Sequence, residues 1–240
     1  MVYNVNKAGV IMKDLYYVLM KNDLGKATYC KKLIKKGSIK VNGQIMTDDK
    51  YQVKLSDQIS YDNQSLSSQP FTYIMLNKPA GYVCANRDST YPCVMDLIEQ
   101  RDCYCLGRLD LDTTGLLLMT DDRNLSKRLL LPQNHVTKKY FVTTKEPMQD
   151  SLVAEFKAGI IIDQRIKCQS AKLEIIDPHH CYLTISEGKY HQIKKMFHSV
   201  DNLVIGLKRV AFANLQLDSD LKEGQYRYLN QDEIIRLLEM

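Results

Sequence analysis

The sequence predicts an α+β protein in which a small basic module precedes a larger domain built on a mixed, mainly antiparallel sheet. Three observations carry this. Strand-like and helix-like runs are interspersed without strict β–α–β alternation, and neighbouring strand runs are joined by short turns such as Asp177-Pro178-His179-His180. Lysines crowd residues 26–40, where Asp and Glu are absent. Between the two regions, Asn63 to Gln69 is polar and serine-rich, and Pro70 closes it. The expected division is a basic domain over 1–62, a linker over 63–69 and a second domain over 70–240.

Totals narrow the class. The chain has 240 residues, of which 45% are hydrophobic and 25% charged, ordinary values for a globular protein. No apolar run approaches a membrane span, and Val2 to Gly9 lacks the charged-then-apolar layout of a signal peptide. A cytoplasmic protein without membrane contact is expected, acting as a monomer. Seven cysteines, an odd number at irregular spacing, do not form a disulfide framework. Cys103 and Cys105 make a lone CxC without a second pair at metal-site spacing, so no metal is expected. The formal net charge of +5 is moderate, and its clustering says more than its size.

In the basic module, Met12, Leu15, Tyr16 and Leu19 recur at helical spacing, and Lys21-Asn22-Asp23 breaks the run. A second helix is predicted from Lys26 to Lys36, stopped by Gly37. Its apolar side is Ala27, Cys30, Leu33 and Ile34; Lys26, Lys31, Lys32, Lys35 and Lys36 occupy the rest. Asn42-Gly43 then joins two short strands, the strongest local hairpin signal. A further strand pair is expected over Tyr51–Leu55 and Gln58–Tyr61. Two short helices followed by a VNG hairpin resemble the S4 (αL) RNA-binding domain over residues 12–61. That resemblance implies RNA phosphates against Lys26, Lys31, Lys32 and Lys35. The match is partial: Met12-Lys13-Asp14-Leu15 stands where the family has Arg-Leu-Asp-Lys, and Ala27-Thr28 where it has Ser-Arg.

The larger domain opens with a strand over Phe71–Leu76, a turn through Asn77-Lys78-Pro79-Ala80-Gly81, and a strand over Tyr82–Cys84. A short helix is expected within Pro92–Gln100. Leu116 to Met119 is a short apolar run, hence a buried strand, and Asp121-Asp122 can cap the helix marked by Leu125, Leu129 and Leu130. Lys138 to Thr144 reads as a strand. Pro147 begins a helix with Leu152, Val153 and Phe156 inward and Gly159 as its stop. Strands over Ala171–Ile176 and Cys181–Ser186 precede a helix over Lys189–Ser199, with Tyr190, Ile193 and Phe197 apolar and His191, Lys194, Lys195 and His198 basic. Strands over Leu203–Leu207 and 210–217 follow. Asn230 and Glu233 form a capping box for a helix over Gln231–Leu238.

The stretch that concentrates chemistry is GRLDLDTTGLLLMTDD, from Gly107 to Asp122. Arg108, Asp110 and Asp112 sit at the mouth of a Thr-Thr-Gly turn. Charges so close to a core strand are costly to bury unless paired. Three readings remain open on these residues alone. The aspartates and threonines can simply cap a turn; Asp110 can be a nucleophile or general base; or Asp110-Leu111-Asp112-Thr113-Thr114 can be the DxDxT of a phosphotransferase, although that pattern normally follows its strand. No glycine-rich phosphate loop is present, so no nucleotide cofactor is indicated.

The whole stretch resembles the signature of the RsuA-type pseudouridine synthases, which modify uridine in ribosomal RNA. Other pieces agree in order: Leu76 to Val83 with the first motif, Lys138-Lys139-Tyr140 with the tyrosine-bearing strand, Gly188 to Phe197 with the third motif, and Leu207-Lys208-Arg209 with the strand after it. Ile185 to Gly188 and Tyr190-His191-Gln192 are similar to the small-subunit (16S) members. The resemblance implies an isomerase that needs neither metal nor cofactor. Asp110 would be the catalytic aspartate, Tyr140 would stack on the target base, and Lys194 would pair with Asp110 and keep it charged. Arg108, His191 and Lys195 would contact RNA, while Asp112 and Thr113 shape the loop. The alternatives are a large-subunit (23S) enzyme of the same superfamily and a non-catalytic ribosome-assembly factor that binds rRNA.

Overall fold

The structure, a computed structural model, describes residues 12–240. The run from Val2 to Gly9 lies outside the described residues. No helix among them is long and apolar enough to cross a membrane. The chain divides into two compact units, one running up to Thr72 and including Ile234–Met240, the other Tyr73–Glu233.

The first unit contains, in order, β1 (Lys13–Asp14), α1 (Leu15–Lys21), α2 (Ala27–Lys35), β2 (Ile39–Val41), β3 (Gln44–Met46), β4 (Gln52–Val53), β5 (Ile59–Tyr61) and β6 (Gln64–Leu66). Leu15, Val18 and Leu19 of α1 and Cys30, Leu33 and Ile34 of α2 form its core with Ile39, Val41, Val53 and Ile59. Helix α2 ends as its sequence demands. Gly37 takes φ 74°, and the Gly37 and Ser38 N–H groups donate to Ile34 O and Leu33 O at 2.9 and 3.1 Å, closing two helix-end carbonyls. In the β2–β3 hairpin both turn residues have positive φ, 53° at Asn42 and 80° at Gly43, as a two-residue turn of matching twist requires.

Two expectations change here. The strands expected over Tyr51–Leu55 and Gln58–Tyr61 do not pair with each other; β4 pairs with β1, and β5 lies between β2 and β6. The Asp57 carboxylate between them accepts from Lys54 N–H, Tyr51 Oη–H and Asn42 Nδ2–H at 2.8, 3.1 and 3.0 Å, which ties this corner to the hairpin turn. Residues 63–69, expected as a linker, hold strand β6. Asn22 and Ser67 also exchange two 2.8 Å hydrogen bonds, so the polar groups of this stretch bond within the unit.

The second unit continues with β7 (Tyr73–Lys78), β8 (Tyr104–Cys105), β9 (Thr114–Thr120), α3 (Arg123–Leu130), β10 (Lys138–Thr144), α4 (Ser151–Ala158), β11 (Ile161–Ile162) and β12 (Ile166–Lys167). Then come β13 (Lys172–Asp177), β14 (His180–Ile185), α5 (Gln192–His198), β15 (Val204–Phe212), β16 (Leu215–Gln216) and β17 (Tyr226–Tyr228), and the last helix, α6 (Gln231–Leu238), runs across the division between Glu233 and Ile234. A nine-stranded sheet runs β13-β14-β10-β15-β9-β7-β17, with β16 beside β15 and β8 beside β9. Among the described residues, β9 and β15 pair in parallel and every other pair in this sheet is antiparallel. The α+β class and the mixed, mainly antiparallel sheet are as expected. Val83 makes only an isolated bridge to Cys93, so Tyr82–Cys84 is not a strand. The strands expected over Leu203–Leu207 and 210–217 become the long β15 and the short β16. Val153, expected inward, is 40% exposed, while Phe156 is buried against Phe197.

Register sets up the site. Lys78 on β7 pairs with Gly115 on β9, Gly115 with Arg209 on β15, and Arg209 with Tyr140 on β10, so one transverse row joins all four. The row is tight at Gly115, which has φ 99°. A Cβ there would meet Arg209 O at 2.3 Å and Arg209 N at 2.8 Å. Only glycine satisfies both the backbone angle and the close approach. Gly115→Ala should therefore destabilise the second unit by about 2 kcal/mol or more. The check is urea unfolding followed by near-UV circular dichroism; an unchanged midpoint would show that β9 and β15 can separate without loss.

Candidate active site

The loop between β8 and β9 carries Arg108, Asp110 and Asp112, and a lysine beneath it fixes its path. Lys78 closes strand β7 and is fully buried. Its Nζ donates to Pro79 O at 3.0 Å, Asp110 O at 3.1 Å, Leu111 O at 3.2 Å and Thr113 O at 2.8 Å. Burial pushes the Lys78 pKa down, and nearby Cys84, Asp112 and Asp110 oppose that shift. Two further hydrogen bonds tighten the loop, Gly81 N–H to Leu111 O at 2.8 Å and Thr113 N–H to Asp110 O at 3.1 Å.

The Asp110 side chain, about a third exposed, faces α5. Its Oδ2 lies 3.6 Å from Lys194 Nζ and its Oδ1 3.7 Å from His191 Nε2. Lys194 is closer to Asp112, bonding its two oxygens at 2.6 and 2.9 Å. Burial pushes the Asp112 carboxyl up, but the Lys194 hydrogen bond and charge more than reverse this and hold it below its usual value. The lysine expected to pair with Asp110 therefore serves both aspartates, with the shorter bonds going to Asp112.

Helix α5 starts at Gln192 rather than Lys189 because the preceding residues form their own polar turn. Gln192 Oε1 accepts from Lys189 N–H at 2.8 Å, and Gln192 Nε2 donates to Glu187 Oε1 at 2.7 Å. His191 takes φ 52° at the helix start. Tyr190, expected on the apolar stripe, is instead 71% exposed and stacks on the His191 ring at 3.8 Å between centroids. Ile193 and Phe197 are buried as expected.

A cleft of about 570 Å³ gathers these groups, within the usual range for small-molecule sites. Arg108, Asp110, Tyr140, His191 and Lys194 line it. Tyr140 is 8% exposed, so only part of its surface reaches the opening. Lys195 turns aside to Asp163 at 2.6 Å. Lys26, Lys31, Lys32 and Lys35 lie in the other unit; Lys26, Lys32 and Lys35 are exposed there, whereas Lys31 pairs with Asp49 at 3.4 Å and sits 4.2 Å over the Tyr16 ring. Among the described residues, no three or more His, Cys, Asp or Glu side chains converge as a metal-holding group. Sequence reasoning treated Lys78 as part of a turn. The available signal was a lysine ending an otherwise apolar run directly before proline.

The model of the family described as RNA pseudouridylate synthase matches residues 72–199, more than half of the chain. The chain belongs to the RNA pseudouridylate synthase family. Its first unit agrees with this, since the S4 domain model matches residues 24–59. Similar relatives include the ribosomal small subunit pseudouridine synthases A of Haemophilus influenzae and Escherichia coli. The first is 39% identical over 86% of this chain and 91% of its own, the second 39% identical over 84% and 89%. A crystal structure titled as a pseudouridylate synthase superposes with a TM-score of 0.67 at 36% identity, covering 94% of this chain and 99% of that one. In this pseudouridine synthase the family match spans β7, the Asp110 loop, β10 and α5, which are the elements that build the cleft.

Replacing Lys78 by Met leaves buried loop carbonyls without a donor. The Lys78→Met protein should lose about 2–4 kcal/mol of stability. Its turnover should also fall by about tenfold or more, because Asp110 is no longer fixed. Thermal unfolding and single-turnover kinetics at a temperature where the variant stays folded separate the two effects.

Proposed function

We propose that this pseudouridine synthase isomerises a specific uridine of small-subunit (16S) ribosomal RNA, with Asp110 as the nucleophile, working in the cytoplasm as a monomer. The observation that carries the reading is a carboxylate held in a 570 Å³ cleft by a backbone-anchored loop, with Lys194, His191 and Tyr140 around it. The small-subunit target follows from the names of its relatives.

In this reading a uridine leaves its stack and enters the cleft, because a stacked base does not expose its glycosidic bond. Asp110 attacks the base or its sugar, the bond from sugar to ring nitrogen breaks, the base turns and rejoins through a ring carbon, and the bond to Asp110 breaks to return the free carboxylate. That carbon gives up a proton and the nitrogen takes one, so no atoms are gained or lost. Tyr140 presents its ring to the base, and Lys194 balances charge at Asp110 while Asp112 holds it in place. Arg108, His191 and Lys195 contact the RNA around the target. The lysines of α2, with Lys26 at its start, bind phosphates through the S4 domain.

Asp110→Asn should abolish pseudouridine formation while leaving RNA affinity and unfolding temperature nearly unchanged. Sequencing of pseudouridine in small-subunit rRNA from a deletion strain complemented with wild type or variant decides this. A variant that still restores the site would exclude Asp110 as nucleophile.

The S4 lysines make a graded prediction. Lys32→Ala and Lys35→Ala should each weaken rRNA-fragment binding about threefold or more and lower the slope of log affinity against log salt by about one. Lys31→Ala should do less, because that ammonium already pairs with Asp49. Equal losses at all three positions in filter-binding titrations would contradict the assignment.

A further inference from the structure

Tyr190 is the most exposed large apolar side chain among the described residues, at 71%. It is nonetheless fixed. Its ring lies 3.8 Å from the His191 ring, centroid to centroid, with the two planes 20° apart. Adjacent residues do not ordinarily stack in this way, because neighbouring side chains of a helix or strand point apart. Here His191 takes φ 52°, an uncommon conformation for a residue with a Cβ. Gln192 braces the turn by accepting from Lys189 N–H at 2.8 Å and donating to Glu187 Oε1 at 2.7 Å. The Lys195 ammonium stands 5.5 Å from the centre of the Tyr190 ring, within cation–π reach, and Asp163 holds it at 2.6 Å. A single apolar residue on a surface needs no explanation. A ring held parallel to a second ring at the rim of a cleft does.

We propose that the Tyr190–His191 pair is a stacking platform for the nucleobase next to the target uridine in the RNA strand. It rests on the reading of this cleft as the one that takes a uridine from rRNA. Both rings line the cleft. His191 Nε2 lies 3.7 Å from Asp110 Oδ1, so the groups lead outward from Asp110 to His191 and then to Tyr190. Their ring spacing is close to the separation of about 3.4 Å between successive bases of a stacked strand.

Taking one base out of its stack leaves its neighbour with a bare face, and part of the cost of extrusion is that lost contact. An aromatic side chain at the cleft rim covers the bare face and returns stacking energy. Every base has a π-face, so the platform requires a base beside the target without selecting which of the four it is. Sites for unpaired strands combine such rings with cations for the phosphates. Arg108 in the cleft and Lys195 beside the Tyr190 ring supply them here. The platform is distinct from Tyr140, which is 8% exposed and presents its ring inside the cleft rather than at its rim.

The test uses the full-length protein and short 16S rRNA fragments around the target uridine, located by pseudouridine sequencing. Each fragment carries 2-aminopurine, whose fluorescence is quenched by stacking, directly 5′ or directly 3′ of the target. Wild type should quench it at one of the two positions. Tyr190→Ala should lose that quenching and bind the fragment about fivefold or more weakly, whereas Tyr190→Phe should keep both. An abasic nucleotide at the quenched position should weaken wild-type binding by a similar factor and leave Tyr190→Ala with little further loss. This last comparison reads wild type as well as variant, so it does not depend on how well the variant folds. Quenching that survives Tyr190→Ala, or equal losses from that substitution with intact and abasic RNA, overturns the platform. A wild type that neither binds a 16S fragment nor converts a uridine in it overturns the proposed substrate. The stack is then decided with a pentauridylate carrying one 2-aminopurine: quenching by wild type and not by Tyr190→Ala upholds a base platform, and any other pattern overturns it.

Discussion

Lys78 stands opposite Gly115 in the sheet, and its ammonium binds the main chain of the loop that leads into Gly115. These two facts are one constraint. The loop can be held from below only if β7 and β9 run side by side, and β9 can meet β15 only if its second residue has no side chain. Arg209 fills the third place in the row and Tyr140 the fourth. The positions of the Asp110 loop and of Tyr140 are thus set by backbone pairing across four strands. Side-chain rotamers add only the last few ångströms.

Above this floor the charges are arranged so that Asp110 stays available. Lys194 gives its shorter hydrogen bonds to Asp112, and Asp110 keeps longer contacts to Lys194 and His191. A carboxylate saturated by short, direct ion pairs would be a poor nucleophile, since its lone pairs would already be committed. Asp112 therefore does more than shape the turn. It holds Lys194 near Asp110 without requiring Asp110 to do the holding. The same reasoning disfavours a metal at this loop, because a lysine occupies the space between the two carboxylates.

Local signals were legible in the sequence wherever one residue's chemistry sufficed. Gly37 ended α2, Asn42-Gly43 made the hairpin turn, and Asp122 capped α3 with its Oδ1 accepting from Asn124 and Leu125 N–H. The run from Leu116 to Met119 announced a central strand because both of its faces are buried, which removes the usual alternation. Legibility failed where a distant partner decides. Strand β5 pairs as it does because Asp57 binds Asn42 across the unit, and nothing near Gln58 encodes that. Lys78 looked like a turn residue because its four acceptors include carbonyls more than thirty positions away. Tyr190 looked like core because helical spacing was extended over a turn that Gln192 and Glu187 hold open.

The buried lysine also explains why the surrounding strands are so apolar. Placing an ammonium at zero exposure costs stability even when every proton is bonded, because carbonyl dipoles replace water imperfectly. A loop of Arg, Asp and Thr on the surface would otherwise be mobile, and catalysis depends on groups held in place beforehand. The offset lies next door: β7 is buried at all six positions and β9 at six of seven, contributing Ile74, Met75, Leu76, Leu116, Leu117, Leu118 and Met119. At roughly 1.5–3 kcal/mol for each large apolar side chain, that strand pair outweighs one strained cation several times over. The pairing of a very hydrophobic centre with a buried charge is therefore one design, in which the strands supply the stability that the fixed loop consumes.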